Sequence, residues 1–269
     1  MFRVHTDLAV ESRELYNEQN DVELEGVSVD VKENENYTVT KVEVLNKNGM
    51  EKMKKPIGQY ITIDVPNLDK TNEDLKDEIS QALAKEIKGM GLNHPNSKIL
   101  IIGLGNWNIS PDALGPKVVE RVLVTRQYFI NFNKEFDETM ANVAAMSPGV
   151  MGMTGIESFD IVKGIVDKIK PDLLIAIDAL SSRKMNRIST TIQISDTGIS
   201  PGGGVGNKRV ALNKETLGIP VLSIGIPTVV NAATIVSDTL DLIISSLKEQ
   251  ADVGREFYNL LEDLSNEER

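Results

Sequence analysis

The sequence contains no cysteine, so disulfides, thiolate nucleophiles, iron-sulfur clusters and cysteine-based zinc sites are excluded together. Histidine is nearly absent. The two present, His5 near the start and His94 in the polar segment Asn93-His94-Pro95-Asn96-Ser97, are poorly placed bases for a Ser/His/Asp triad. Positive charge is in deficit. Against 40 Asp and Glu stand 29 Lys and Arg, a formal net charge of −11, and such a chain is repelled on average by phosphate backbones and anionic lipid. Nucleic acid is not expected as a direct partner. No stretch approaches the roughly 20 apolar residues of a membrane span, and Met1-Phe2-Arg3-Val4-His5-Thr6-Asp7 has no apolar targeting core. A cytoplasmic protein without a membrane partner is expected.

What is present suits a packed α/β domain. The 269 residues are 41% hydrophobic and 26% charged, far from disordered compositions and within the size of one large core. Val27, Val29 and Val31 alternate with polar residues, and Tyr37 to Leu45 and Tyr60 to Val65 repeat that period of two. These predict an antiparallel β region over the first 65 residues. Thr71-Asn72-Glu73-Asp74 resembles a helix start, and Leu75, Ile79, Ala82, Leu83 and Ile87 follow on one helical face before Gly89 and Gly91. From Lys98 onward, apolar runs at 99–102, 173–177, 191–194 and 221–226 alternate with helical segments near 116–126, 158–170 and 229–249. That alternation predicts a mainly parallel sheet with helices on both faces.

Ligands of open α/β sheets bind beyond the carboxyl ends of parallel strands, so polar residues that follow the apolar runs are the first candidates. Asp112 arrives after Ile102-Gly103-Leu104-Gly105-Asn106 at the start of the next helix, and Asp178 directly ends Leu173-Leu174-Ile175-Ala176-Ile177. If those strands are neighbours, burial and mutual repulsion raise one carboxyl and leave the other ionised, which makes an acid/base pair. Each aspartate taken singly reads more readily as a helix cap or turn holder than as a catalytic group. The loop Ser147 to Gly155, with Gly149, Met151 and Thr154, either aims backbone N–H groups at a substrate or simply turns the chain. Gly202-Gly203-Gly204-Val205-Gly206-Asn207-Lys208-Arg209 departs from a phosphate loop at Asn207 and Arg209, and Gly103-Leu104-Gly105 lacks the third glycine of a dinucleotide site. Ser181, Ser182, Arg183 and Lys184 after Asp178 read as a polar loop more readily than as a Ser-Lys nucleophile.

Taken together, Gly103-Leu104-Gly105-Asn106, Pro111-Asp112-Ala113-Leu114-Gly115-Pro116, the run Pro148 to Glu157, Ile175-Ala176-Ile177-Asp178-Ala179-Leu180 and the run Gly202 to Arg209 resemble the germination proteases of spore-forming Firmicutes. The resemblance extends from Thr6-Asp7-Leu8-Ala9 to the helix beyond Ile226 and implies an endopeptidase that degrades small acid-soluble spore proteins in the spore core. It implies an atypical aspartic mechanism carried by Asp112 and Asp178, without a cofactor, in an inactive precursor that assembles as a homotetramer. Substrates of the family are cut after an acidic residue, so Arg183, Lys208 and Arg209 are expected to read that acid. Thr6-Asp7-Leu8-Ala9-Val10-Glu11 resembles such a cleavage sequence, which implies a propeptide of residues 1–7, self-cleavage between Asp7 and Leu8, and a single peptidase domain over 8–269. Members of the family usually continue beyond the region matching Glu256 to Leu261, whereas this sequence ends at Arg269. The Gly-x-Gly-Asn pattern with a downstream Asp is also similar to hydrogenase maturation endopeptidases, so a divalent metal stays open, and the alternatives are a metal-assisted maturation peptidase or a non-enzymatic small-ligand or nucleotide-binding module.

Overall fold

The structure, a computed structural model, describes residues 6–19, 24–66, 68, 73–92, 97–131, 140–201 and 209–230, with scattered positions within 232–250. Packing divides the chain into His5–Val230, which holds every strand named below, and a second unit containing Asn231–Arg269. Described residues of the second unit between 232 and 250 are helical. The helix expected from 229 therefore starts later, because extended backbone persists to Val230.

Among the described residues one eight-stranded sheet organises the larger unit. In chain order its strands are β1 (Val27–Glu33), β2 (Thr38–Val44), β3 (Gly58–Asp64), β4 (Lys98–Gly103), β5 (Asn142–Met146), β6 (Leu173–Ser182), β7 (Thr191–Ser195) and β8 (Val221–Val230). In space they lie in the order β1-β2-β3-β7-β8-β6-β4-β5. The helices are α1 (Ala9–Gln19), α2 (Lys47–Met53), α3 (Glu73–Gly89), α4 (Leu114–Arg121), α5 (Arg126–Asn131), α6 (Met151–Thr154), α7 (Ser158–Ile169) and α8 (Lys214–Leu217).

The sheet is mixed, which corrects the mainly parallel expectation. Three pairings, β4 with β5, β4 with β6 and β6 with β8, are parallel, and the other four are antiparallel. The cause lies after β6. Eight residues, 183–190, separate it from β7, too few for the dozen or so of a parallel crossover. The chain therefore turns back, and β7 runs against both β8 and β3. The N-terminal strands form the antiparallel region expected, and β7 joins them to the rest of the sheet. The first 65 residues also contain α1 and α2, where strands alone were expected. Asn46 starts α2 by accepting the Gly49 N–H at 3.0 Å, the usual role of an N-cap.

Side-chain alternation along the strands sends residues to two cores. Leu174 and Ala176 of β6 pack with Leu100, Ile102 and, from α7, Val162 and Val166. On the opposite face Leu173 joins Ile61, Ile63, Ile192, Ile194 and, from α3, Ile79. Helices cover both faces, as the apolar runs implied. A third cluster of Ala9, Val42, Val44, Met53 and Tyr60 seats α1 and α2 beside the antiparallel strands.

Candidate active site

Strand β4 ends at Gly103, and the chain reaches Asp112 through a short 3-10 turn, Ser110–Asp112. The turn is held from both sides. Asp112 accepts the Asn106 N–H on its carbonyl at 2.9 Å, and Thr228 of β8 donates its hydroxyl to the Pro111 carbonyl at 2.6 Å. Gly105 adopts a φ of +112°, and a Cβ there would stand 2.0 Å from the Asp112 carbonyl. Gly115 is equally confined, since its Cβ would lie 2.2 Å from the Leu104 carbonyl and 2.6 Å from that of Ile177. The glycines flanking Asp112 thus allow strand end and helix start to touch, a close approach that no larger residue permits.

Asp178 is the first residue of β6 beyond the pairing with β4, whose register ends at Gly103 with Ile177. It is 7% exposed. Its Oδ1 accepts the Ala179 N–H at 2.8 Å. Burial pushes its carboxyl up to about 7, against the Ala179 hydrogen bond, and the charges of Asp112 and Asp7 add to the rise. Asp112 is partly exposed. Burial raises its carboxyl too, opposed by a backbone hydrogen bond at Asn106 and by the positive charge of Arg209. The two environments therefore differ in kind: Asp178 is enclosed among like charges, whereas Asp112 has a cation in reach.

The start of the chain enters the same neighbourhood. Asp7 donates its N–H to the Ser181 carbonyl at 2.9 Å, and its Oδ2 accepts the Ser181 N–H at 2.8 Å. Leu8 is fully buried and packs with Val10 and Leu180. Glu11, with no exposure, accepts the backbone N–H groups of Arg183 at 2.6 Å and Lys184 at 2.9 Å, takes the Thr6 hydroxyl and pairs with Arg187 at 3.3 Å. Arg187 in turn grips Glu14 through both terminal nitrogens, at 3.1 and 2.8 Å. A buried carboxylate is tolerated when its oxygens are satisfied in this way. Lys55, which donates to the Thr6 and Asp7 carbonyls at 3.1 and 2.8 Å, and Gln193, which donates to the Asp7 carbonyl at 3.1 Å, were not foreseen, nor were Glu11 and Arg187. Lys55 lies in the charged run Lys52 to Lys55 and Gln193 inside a strand, and no local pattern marks either.

Gly149 has a φ of +73° and accepts the Ser158 hydroxyl at 2.9 Å. Thr154 closes its own turn, donating to the Val150 and Ile156 carbonyls and accepting the Ile156 N–H, while Met151 is exposed. Arg183 meets the N-terminal segment through its backbone N–H, and Arg209 acts on Asp112. Lys208 and the glycines at 202–204 and 206 lie outside the described residues, as do His5 and His94. Among the described residues no group of three or more His, Cys, Asp or Glu is arranged to hold a metal ion, and no helix is long and apolar enough to cross a membrane.

Two aspartates beyond the carboxyl ends of neighbouring parallel strands, beside an anchored stretch of peptide, lie where open α/β sheets bind their ligands, and comparison with known proteins puts the chain among the peptidases. Residues 4–263 match the family model described as Germination protease. A germination protease of Clostridium perfringens (strain SM101) is 48% identical over 271 residues, spanning all of this chain and 83% of that protein. One from Caldanaerobacter subterraneus subsp. tengcongensis is 47% identical over 266 residues, covering 99% and 81%. One from Bacillus cereus is 47% identical over 259 residues, covering 94% and 70%. The chain belongs to the germination protease family.

Proposed function

We propose that this chain is an endopeptidase of the spore core that degrades small acid-soluble spore proteins, with Asp178 as general acid and Asp112 as general base. The observation that carries the reading is the contrast between the two carboxyls: Asp178 is buried and held near 7, and Asp112 is more open and within the field of Arg209. Below pH 7 Asp178 holds its proton and can deliver it to a leaving amine. Asp112, more open and with the Arg209 charge opposing the rise that burial causes, is the partner that can take a proton from water. Pairs whose environments push their acidities apart are how one site supplies both functions.

The same reading makes residues 1–7 a propeptide removed by cleavage between Asp7 and Leu8. Its support is that Asp7 is pinned to Ser181, three residues along β6 from Asp178, and that its charge acts on Asp178. Substrate acids are read by Arg183, Lys208 and Arg209, with the loop of Gly149, Met151 and Thr154 lining the approach, and the working form is a homotetramer. The test is incubation with a small acid-soluble spore protein followed by mass mapping of the fragments. Asp112→Asn and Asp178→Asn should each abolish the cuts. A chelator should leave them unchanged. Loss of activity on chelation, restored by one divalent ion, would favour the metal-assisted alternative.

A further inference from the structure

Three groups outside the aspartate pair converge on a single carbonyl oxygen or its neighbours. Lys55 Nζ donates to the Asp7 carbonyl at 2.8 Å and to the Thr6 carbonyl at 3.1 Å. Gln193 Nε2 donates to the same Asp7 oxygen at 3.1 Å, and its Oε1 accepts the Ala9 N–H at 2.7 Å. Ser181 fixes Asp7 from the other side through its own N–H and carbonyl. The Asp7–Leu8 peptide is thus held on both flanks, with two donors on its oxygen; burial pulls the Lys55 ammonium down from its ordinary range, and the charges of Asp7 and Glu11 oppose that fall.

The sheet register explains why these groups share a face with the catalytic candidate. Asp178 of β6 is opposite Gly225 of β8, and Gly225 is opposite Gln193 of β7. Residues paired across a sheet point the same way, so Gln193 and Asp178 rise from one row about 10 Å apart, two strand spacings. Gly225 between them has no side chain, and a Cβ there would stand 2.5 Å from Leu180. Leu180 leans into that space and packs on Leu8. The apolar residue after the candidate scissile bond therefore sits beside the row that carries both amide and carboxyl.

We infer that Lys55 and Gln193 are the electrophilic pair for self-cleavage, polarising the Asp7 carbonyl and holding the oxyanion that forms on it. The inference rests on the self-cleavage reading above. Water adds through its oxygen to the Asp7 carbonyl carbon and yields one proton to Asp112, while the carbonyl π electrons move onto the oxygen facing Lys55 and Gln193. Collapse restores the carbonyl and breaks the C–N bond as Asp178 gives its proton to the Leu8 nitrogen. The products are a carboxyl at Asp7 and an amine at Leu8. Donors already in place gain most when charge develops on the oxygen, which is the condition for catalysis and not mere binding.

An anchoring role alone would use the same hydrogen bonds, so the experiment must separate the two. In the full chain, Lys55→Met keeps most of the stem and removes the donor, and Lys55→Arg restores a donor. The rate at which chains beginning at Leu8 appear is followed by mass spectrometry, and docking of the segment is followed by amide exchange at Leu8, Ala9 and Ser12. Removing one oxyanion donor elsewhere costs about 100- to 1,000-fold. Lys55→Met should therefore slow cleavage at least ~100-fold with exchange protection retained, and Lys55→Arg should recover at least ~10-fold of that loss. Cleavage of Lys55→Met at the wild-type rate overturns the inference, as does a rate loss matched by an equal loss of protection. A wild-type chain that degrades spore proteins but never yields a Leu8 amino terminus removes self-cleavage itself, and the wild-type control tells that result apart from the others.

Discussion

Replacing Asp178 by Asn should make the protein more stable at alkaline pH while removing its activity. In the unfolded chain the carboxyl titrates near its ordinary value of 3.8, whereas in the fold it is pushed up to about 7. Between those values the folded protein holds a proton that the unfolded chain has released, so stability falls as pH rises from about 4 to about 7 and levels off above it. At roughly 1.4 kcal/mol per pH unit the wild type forfeits about 4 kcal/mol over that interval. Asparagine carries no charge to desolvate, and its Oδ1 can keep the Ala179 N–H. Its amide needs a partner, which takes back about 1–2 kcal/mol, leaving a net gain of about 2–3 kcal/mol at pH 8. For a domain of this size that is a rise in Tm of roughly 5–10 °C. At pH 4 the gain should vanish or reverse slightly. Thermal unfolding of both proteins at pH 4 and pH 8 tests this position, because the two proteins differ only in this one group. An equal change at both pH values, or a lower Tm for Asp178→Asn at pH 8, would refute the claim that burial holds this group protonated.

Glu11→Gln should lower stability by about 3 kcal/mol, the scale of breaking a buried charged network, and should speed amide exchange through α1; an unchanged melting curve would mean that the contacts with Arg183, Lys184 and Arg187 contribute little. Gly115→Ala should reduce peptidase activity at least ~100-fold, since a Cβ 2.2 Å from the Leu104 carbonyl must displace the turn that carries Asp112, and turnover at the wild-type rate would show that the turn tolerates such a shift. Replacing the acidic residue of a substrate by its amide should lower kcat/KM about 10-fold if a charge-assisted hydrogen bond reads it, and equal kcat/KM for the two substrates would argue against electrostatic reading.

The placement of the two aspartates beyond neighbouring parallel strands was legible because its signal is local. Asp178 directly follows an apolar run too short for anything but a buried strand, Asp112 ends the glycine-bearing loop that leaves another, and polar residues beyond such strand ends face the ligand crevice. Strand direction was less legible. Thr191 to Ile194 is a run like the others, and its orientation follows from the shortness of 183–190, a length that matters only once its neighbours are known. Helix α1 escaped because Leu8-Ala9-Val10 reads as extended, while the residue that anchors the helix, Glu11, is a charge where a core residue would be sought. Lys55 and Gln193 escaped for a related reason. They meet Asp7 across sequence separations of 48 and 186 residues, and no periodicity reports contacts at that range.

Strand β7 is five residues long, and its position has a consequence for synthesis on the ribosome. Asp64 waits 127 residues for Thr191, so β1 to β3 can form hairpins early but have no sheet to join until β7 emerges. Strand β8, which lies between β7 and β6 and places Gly225 opposite Asp178, comes later still. Long-range pairing of this kind is slow because loop closure precedes any reward. A chain still being translated through residue 220 therefore has both aspartates but not the strand that sets Gln193 and Asp178 in one row, so the self-cleavage proposed above would have to wait for the last strand of the sheet.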